Sequence, residues 1–494
     1  MGAVNWLALL LTHPLEFRTL VQFYIYHEQK RDIAALKEHP TSGWDRQSMR
    51  RCWEFLDMTS RSFSAVIKEL EGDLARTIAL FYLVLRGLDT IEDDMTIPDA
   101  VKQPILRSFH IHTVTPGWKF EDSGPNEKDR QLLVEYATVV DEVNLLNPDY
   151  KNIIIDIAQK METGMADYAH KAATTGSIYL ETVAEYDLYC HYVAGLVGEG
   201  LSRIFSASRK ELPSLGSQLE LSNSMGLLLQ KTNIIRDYRE DVDEHRYFWP
   251  REIWGQYGFE EMKEMKPTDP DTVRRATYVQ SGMILDALRH STDSLDYLRM
   301  LRNQSVFNFC AIPATMAIAT LELCFMNKEM FQRNIKIRKA EAANLIMRST
   351  NPREVGLIFR EFARKIHAKA IPSDPNFIRI SVACGKIEAW CEHNYPSFVH
   401  YSAETGKQML NPSDPRTAVI MRETALDAEL AKKKRIEDIR NGLANTASAN
   451  GAQRYESKDV SMSELMMYVG GAFMLIMLVS GSVLWAVLKY TGDI

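Results

Sequence analysis

The sequence predicts an all-α protein, and three observations carry that expectation. Apolar residues recur at helical spacing over long stretches, as in Ile153 to Ala169, Glu181 to Ser206 and Leu219 to Asp241. Alternating strand patterns are few. Proline and glycine are spread thinly, with no mid-chain cluster to mark a boundary and no repeat of solenoid length. The body is therefore expected to be one large helical domain.

With 494 residues, 46% hydrophobic and 25% charged, the chain has ample apolar material for a large core. A formal charge of -7, from 58 basic against 65 acidic residues, removes nucleic acid as a main partner. The six cysteines, Cys52, Cys190, Cys310, Cys324, Cys384 and Cys391, form no CxxC pair or His/Cys cluster. They read as reduced, buried thiols of a cytosolic body. The short apolar run Trp6 to Leu11 lacks a basic region before it, so it reads as a packing segment rather than a signal core.

From Leu465 to Leu488 the chain has 24 residues without a charge. As a helix they would reach roughly 36 Å, enough to cross a bilayer core. Trp485 and Tyr490 stand where interfacial aromatics belong. The expected organisation is a catalytic domain over 1–400, a helical and flexible linker over 401–464, a transmembrane tail anchor over 465–488 and a short tail over 489–494. The basic cluster Lys432 to Arg435 is either a solvated helix face or a complement to an anionic membrane surface.

Two acidic stripes carry the chemistry. In Ile78 to Asp94, IALFYLVLRGLDTIEDD, the helix is apolar nearly all round except at Tyr82, Arg86, Asp89 and Asp93. At 100° per residue those four fall within about 60° of one another. A narrow polar stripe among Leu, Val, Phe and Ile suits a helix that is surrounded by others and lines a central cavity. Asp89 and Asp93 stand one helical turn apart, where two carboxylates repel by roughly 3 kcal/mol at an effective dielectric of 20. Glu92 and Asp94 add to that strain.

The second stripe lies in LLLQKTNIIRDYRED, where Gln230, Asn233, Asp237 and Asp241 share one face and Glu240 precedes Asp241 as Glu92 precedes Asp93. Either cluster alone would read as a solvated acidic patch. Two matching ones on apolar helices read as facing rows that share divalent cations. Mg²⁺ suits them, because it keeps several waters and is held by one or two carboxylates together with substrate phosphates.

DTIEDD at Asp89 to Asp94 and DYRED at Asp237 to Asp241 resemble the paired aspartate-rich motifs of the squalene synthase family. SRSF at Ser60 to Phe63, YCHYVAGLVG at Tyr189 to Gly198, VFNFCAIP at Val306 to Pro313 and KIRK at Lys336 to Lys339 extend the resemblance over most of the chain from Trp53 to Cys391. It implies a single isoprenoid-synthase helical domain, a monomeric catalytic body, and a tail anchor in the endoplasmic reticulum membrane. It further implies head-to-head coupling of two farnesyl diphosphates to presqualene diphosphate, then reduction to squalene with NADPH, in sterol biosynthesis.

By the same resemblance Asp89, Glu92, Asp93, Asp237, Glu240 and Asp241 hold Mg²⁺. Ser60, Arg61, Ser62, Arg86, Asn233 and Arg236 meet the diphosphates, and Lys336 and Arg338 meet NADPH phosphate. Tyr189, assisted by Tyr82, matches the base proposed for cyclopropane formation, and Phe309, with Phe307, Cys310 and Pro313, walls a water-poor part of the pocket. No GxGxxG stands between a strand and a helix, so a dinucleotide would need another arrangement. Two other readings stay open: a phytoene-synthase-like coupling without reduction, and a non-catalytic helical scaffold.

Overall fold

The computed structural model describes residues 6–26, 31–266 and 268–396, with 422, 425, 426 and 428–436 beyond them. The chain divides into two compact units, Met1–Ser397 and Phe398–Ile494. In the second, the described residues are helical, Lys432 to Arg435 are exposed, and Lys433 pairs with Glu429 at 2.9 Å. The run 465–488 lies outside the described residues.

Helices build the first unit. The helix Leu74–Asp93 buries Leu80, Leu83, Val84, Leu88 and Ile91 completely, and each such side chain contributes about 1.5 to 3 kcal/mol on leaving water. Against it packs the long helix Pro148–Thr175. That helix starts where Asn147 accepts from the Asp149 amide with Pro148 in the first turn, and stops at Gly176, whose φ of 82° is left-handed.

The helix Leu219–Arg236 is central, touching the helices Pro270–Leu288, Ser291–Met300 and Gln304–Cys324 and a π turn at His191–Gly195. Close approach decides its packing on the π turn and on the helix Leu196–Ala207 that follows it. A Cβ added at Gly226 would stand 2.5 Å from the Ala194 carbonyl oxygen, and one at Gly198 would collide with the Ser222 carbonyl, so main chain meets main chain. Among the described residues Gln304–Cys324 is the one helix long and apolar enough to cross a membrane, yet 67% of its 18-residue apolar window is buried within the fold, as in a core helix. Asn303 caps it by accepting from the Ser305 and Val306 amides.

One expected element differs. The helix foreseen across Leu219 to Asp241 ends at Arg236 and resumes at Tyr238–Asp243, because Asp237 adopts φ -92° and ψ 11°, outside the helical well. The ladder nonetheless continues, with Asp237 N to Asn233 O at 2.9 Å and Asp241 N to Asp237 O at 3.0 Å. The acidic row thus keeps its register through the break. All six cysteines are free and buried.

Candidate active site

Two connected cavities lie between these helices. A mouth of about 230 Å³ is lined by Asp89, Glu92 and Asp93 from one helix and, opposite, by Asp237 at the helix break and Glu240 and Asp241 of Tyr238–Asp243, with Tyr189 and Asn233 also in its wall. A chamber of about 430 Å³ continues from it. Asp89, Val193, Gln230 and Asn233 line both, and the remainder of the chamber is largely apolar, including Phe81, Leu85, Met161, Leu201, Phe309, Cys310 and Pro313. The two acidic rows therefore face one hollow whose polar end opens onto a hydrocarbon-lined one.

Electrostatics follow from that placement. Burial first, then the Asp93 charge, pushes Asp89 up to about 7, with Arg86 opposing. Burial likewise pushes Asp241 up to about 7 against the pull of Arg246. Glu92 rises well above the usual carboxylate range through burial and the charges of Asp93 and Asp89. Asp94 does not share this strain: it turns away to accept from Thr96 and from the Gly124 amide at 2.8 Å, which outweigh its burial and lower its pKa.

Cations close to the rows come from unexpected places. Arg246 bridges them, lying 3.6 Å from Asp93, 2.9 Å from Asp241 and 2.8 Å from Glu244. A local device delivers it: His245 takes a left-handed φ of 60°, and Arg246 and Tyr247 pair in parallel with Ile178 and Tyr179, the only sheet among the described residues. Phe248, next in line, stacks on Tyr189 with ring centroids 5.0 Å apart. Buried Lys102 donates to the Glu92 carbonyl at 2.6 Å, where a helix C-terminus favours a cation. Asp129 holds Arg86 at 3.2 Å, closer than Asp89 does at 3.9 Å. Nothing local in the sequence singles out Arg246, Lys102, Asp129 or Phe248, since each acts through tertiary placement.

The other expected residues fall in three places. Tyr82, Arg86, Phe309 and Ser60 line the chamber, Ser60 also capping the helix Arg61–Lys68 by accepting from Phe63 N at 3.3 Å. Arg61 and Ser62 occupy the first turn of that helix, their side chains outside the described residues. Arg236 makes a two-pronged pair with Asp237 at 2.8 and 2.5 Å, and Glu240 accepts from Asn334 at 2.5 Å. Lys336 and Arg338 line neither cavity. They border a separate groove of about 530 Å³ with Glu16, Thr19, Glu322 and Lys365, and there Arg338 pairs with Glu16. Phe307 is buried beside the chamber wall without lining it.

Residues 56–341 match the squalene/phytoene synthase family model. The chain belongs to the squalene/phytoene synthase family. Within that family it is 64% identical to a squalene synthase of Ganoderma lucidum over 89% of this chain and 96% of that one. It is 53% identical to the squalene synthase of Mycosarcoma maydis over 82% of this chain and 73% of the other, and 48% identical to that of Schizosaccharomyces pombe over 77% and 81%. Its fold matches a solved complex of TcSQS with a ligand at a TM-score of 0.66 and 37% identity, covering 70% of this chain and 98% of the other.

For this member of the squalene/phytoene synthase family, the strained carboxylates give an expected pH dependence. Asp89 and Asp241 titrate near 7 in the fold, whereas free aspartates titrate near 3.8. Between those values the folded chain keeps protons that the unfolded chain has lost, so stability falls as pH rises through that window. Solvent reaches 37% of the Asp89 side chain and damps its share, leaving Asp241, 9% exposed, as the larger contributor. Thermal melts of metal-free protein from pH 4 to 8 are expected to show this decline, and Mg²⁺ at pH 7.5 to reverse it. A flat profile with no response to Mg²⁺ would contradict it.

Proposed function

We propose that this protein is a Mg²⁺-dependent squalene synthase, joining two farnesyl diphosphates head to head into presqualene diphosphate and reducing that to squalene with NADPH. One observation carries the reading: the two acidic rows share a single mouth that opens into an apolar chamber through Asp89, Val193, Gln230 and Asn233. A diphosphate belongs at the first and a prenyl tail in the second.

The donor set fits Mg²⁺. Among the described residues no group of three or more His, Cys, Asp or Glu side chains is placed to hold a metal ion by itself, so a bound Mg²⁺ would need water and substrate phosphate to complete its shell. Asp89, Glu92 and Asp93 with Asp237, Glu240 and Asp241 would hold it, and the bound ion neutralises charge growing on the departing pyrophosphate. Arg86 in the chamber wall and Arg246 in the mouth add fixed positive charge, Arg236 adds more through its pair with Asp237, and the helix N-terminus at Arg61 and Ser62 offers amides to an oxyanion.

Tyr189 stands at the mouth with its pKa held well above 10 by burial and by the Glu92 and Asp93 charges. It is a neutral phenol, so its oxygen accepts a substrate proton as its own leaves toward pyrophosphate. Phe309, Cys310 and Pro313 keep water from a cationic intermediate. The groove holding Lys336 and Arg338 supplies basic groups for NADPH phosphate. The 465–488 run is the tail anchor, setting the body on the cytosolic face of the endoplasmic reticulum.

Incubating the full chain with farnesyl diphosphate and Mg²⁺, with and without NADPH, tests the reading. Squalene is expected only with NADPH, and presqualene diphosphate is expected to accumulate without it. A hydrocarbon formed without NADPH would mean coupling without reduction, and no product at all would leave a scaffold. The double replacement Lys336→Ala, Arg338→Ala is expected to raise the KM for NADPH at least about tenfold and to spare presqualene diphosphate formation, since each lost phosphate contact weakens cofactor binding alone.

A further inference from the structure

Behind the acidic mouth, on the far side of its helices, lies a charge cluster that the proposed chemistry does not use. Lys231 is fully buried on the helix Leu219–Arg236. Its ammonium group donates at 2.5 Å to Asp187 of the helix Val183–Cys190 and at 2.5 Å to Asp286 of the helix Pro270–Leu288. The Tyr186 ring faces it at 4.9 Å. Arg289 joins the same two carboxylates from the solvent side, pairing with Asp187 and holding Asp286 at 2.8 Å. Two cations and two anions make the set neutral.

Of the three helices tied here, Val183–Cys190 and Leu219–Arg236 furnish the mouth, and Pro270–Leu288 does not. Asp187 and Tyr189 stand two residues apart on one helix, so they project to opposite sides, and Lys231 and Asn233 do the same on the other. Each helix therefore turns one group into the mouth and its neighbour into the cluster. The main-chain contact of Gly226 with Ala194 and the His191–Asn223 hydrogen bond at 2.7 Å both lie in the π turn His191–Gly195, beyond Tyr189, so the tie on the Tyr189 turn itself is the one Lys231 makes to Asp187. Sliding of one helix past the other would move the Tyr189 hydroxyl relative to Asn233 and Asp237.

We propose that Lys231 is a positioning residue for the coupling reaction: through Asp187 it fixes where Tyr189 stands relative to the diphosphate site, while Asp286 anchors it to the body. The proposal rests on the squalene synthase reading. A buried lysine that only filled space or balanced charge could be exchanged for a neutral arrangement without kinetic consequence. One that sets a register could not, because small misplacements of a reacting group cost large factors in rate.

The test compares Lys231→Met with the charge-balanced double variant Lys231→Met, Asp286→Asn in the full chain, reading thermal melting together with kcat and KM for farnesyl diphosphate. Lys231→Met is expected to melt lower than the parent, since it strands a buried carboxylate. The double variant is expected to regain most of the melting temperature yet keep a kcat at least about tenfold below the parent, with KM within about twofold. A double variant with parental kcat, a loss confined to KM, or a kcat that recovers in step with melting would overturn the proposal. So would a double variant that does not fold, since the tie would then serve the fold alone. A parent chain that makes neither presqualene diphosphate nor squalene would instead refute the underlying reading of function.

Discussion

Replacing Asp89 with asparagine is expected to lower turnover by about three orders of magnitude, a loss of about 4 kcal/mol of transition-state stabilisation. The metal-free fold should be at least as stable as the parent. Both halves follow from one fact: burial and Asp93 make ionised Asp89 costly, holding its pKa near 7. An amide of the same shape removes that cost together with a metal ligand. Diphosphate release in single turnovers, beside thermal melts without metal, reads the two effects separately. Undiminished release by the variant would detach the carboxylate rows from the chemistry.

Tyr189→Phe is expected to reduce presqualene diphosphate formation by about 10² to 10⁴-fold, the range of a single positioned proton-transfer group. Stability should hold, because the ring keeps its stacking on Phe248 at 5.0 Å and its edge contact with Tyr168 at 5.1 Å. The effect should fall on kcat with KM little changed. Burial keeps the phenol protonated, so raising the pH to 9 should not speed the parent enzyme; an alkaline gain in rate would point to a standing phenolate instead.

The sequence made some of this plain and hid the rest for physical reasons. Tyr82, Arg86, Asp89 and Asp93 lie on one face of an apolar helix, and periodicity alone reveals that. The matching row at Asn233, Asp237 and Asp241 was equally legible, although the backbone departs from the helix at Asp237. That the rows face one hollow depends on helix packing, which no local pattern records. Arg246 escaped notice because a left-handed His245 and a two-residue parallel pairing with Ile178, distant in sequence, bring it between them. The π turn was hidden likewise, since one extra residue in a helical turn leaves the apolar spacing nearly intact. Lys336 and Arg338 could be recognised as a basic pair, but their groove is formed with the helix Pro14–Tyr26.

Where Gly226 rests against Ala194 and Gly198 against Ser222, part of the chamber is built from bare peptide. Nothing protrudes there that could be pruned. Breeding this enzyme toward longer isoprenoids must therefore work on its bulky panels, Phe81, Leu85, Met161 and Leu201, while the glycine seam stays as a fixed datum against which the bore is measured.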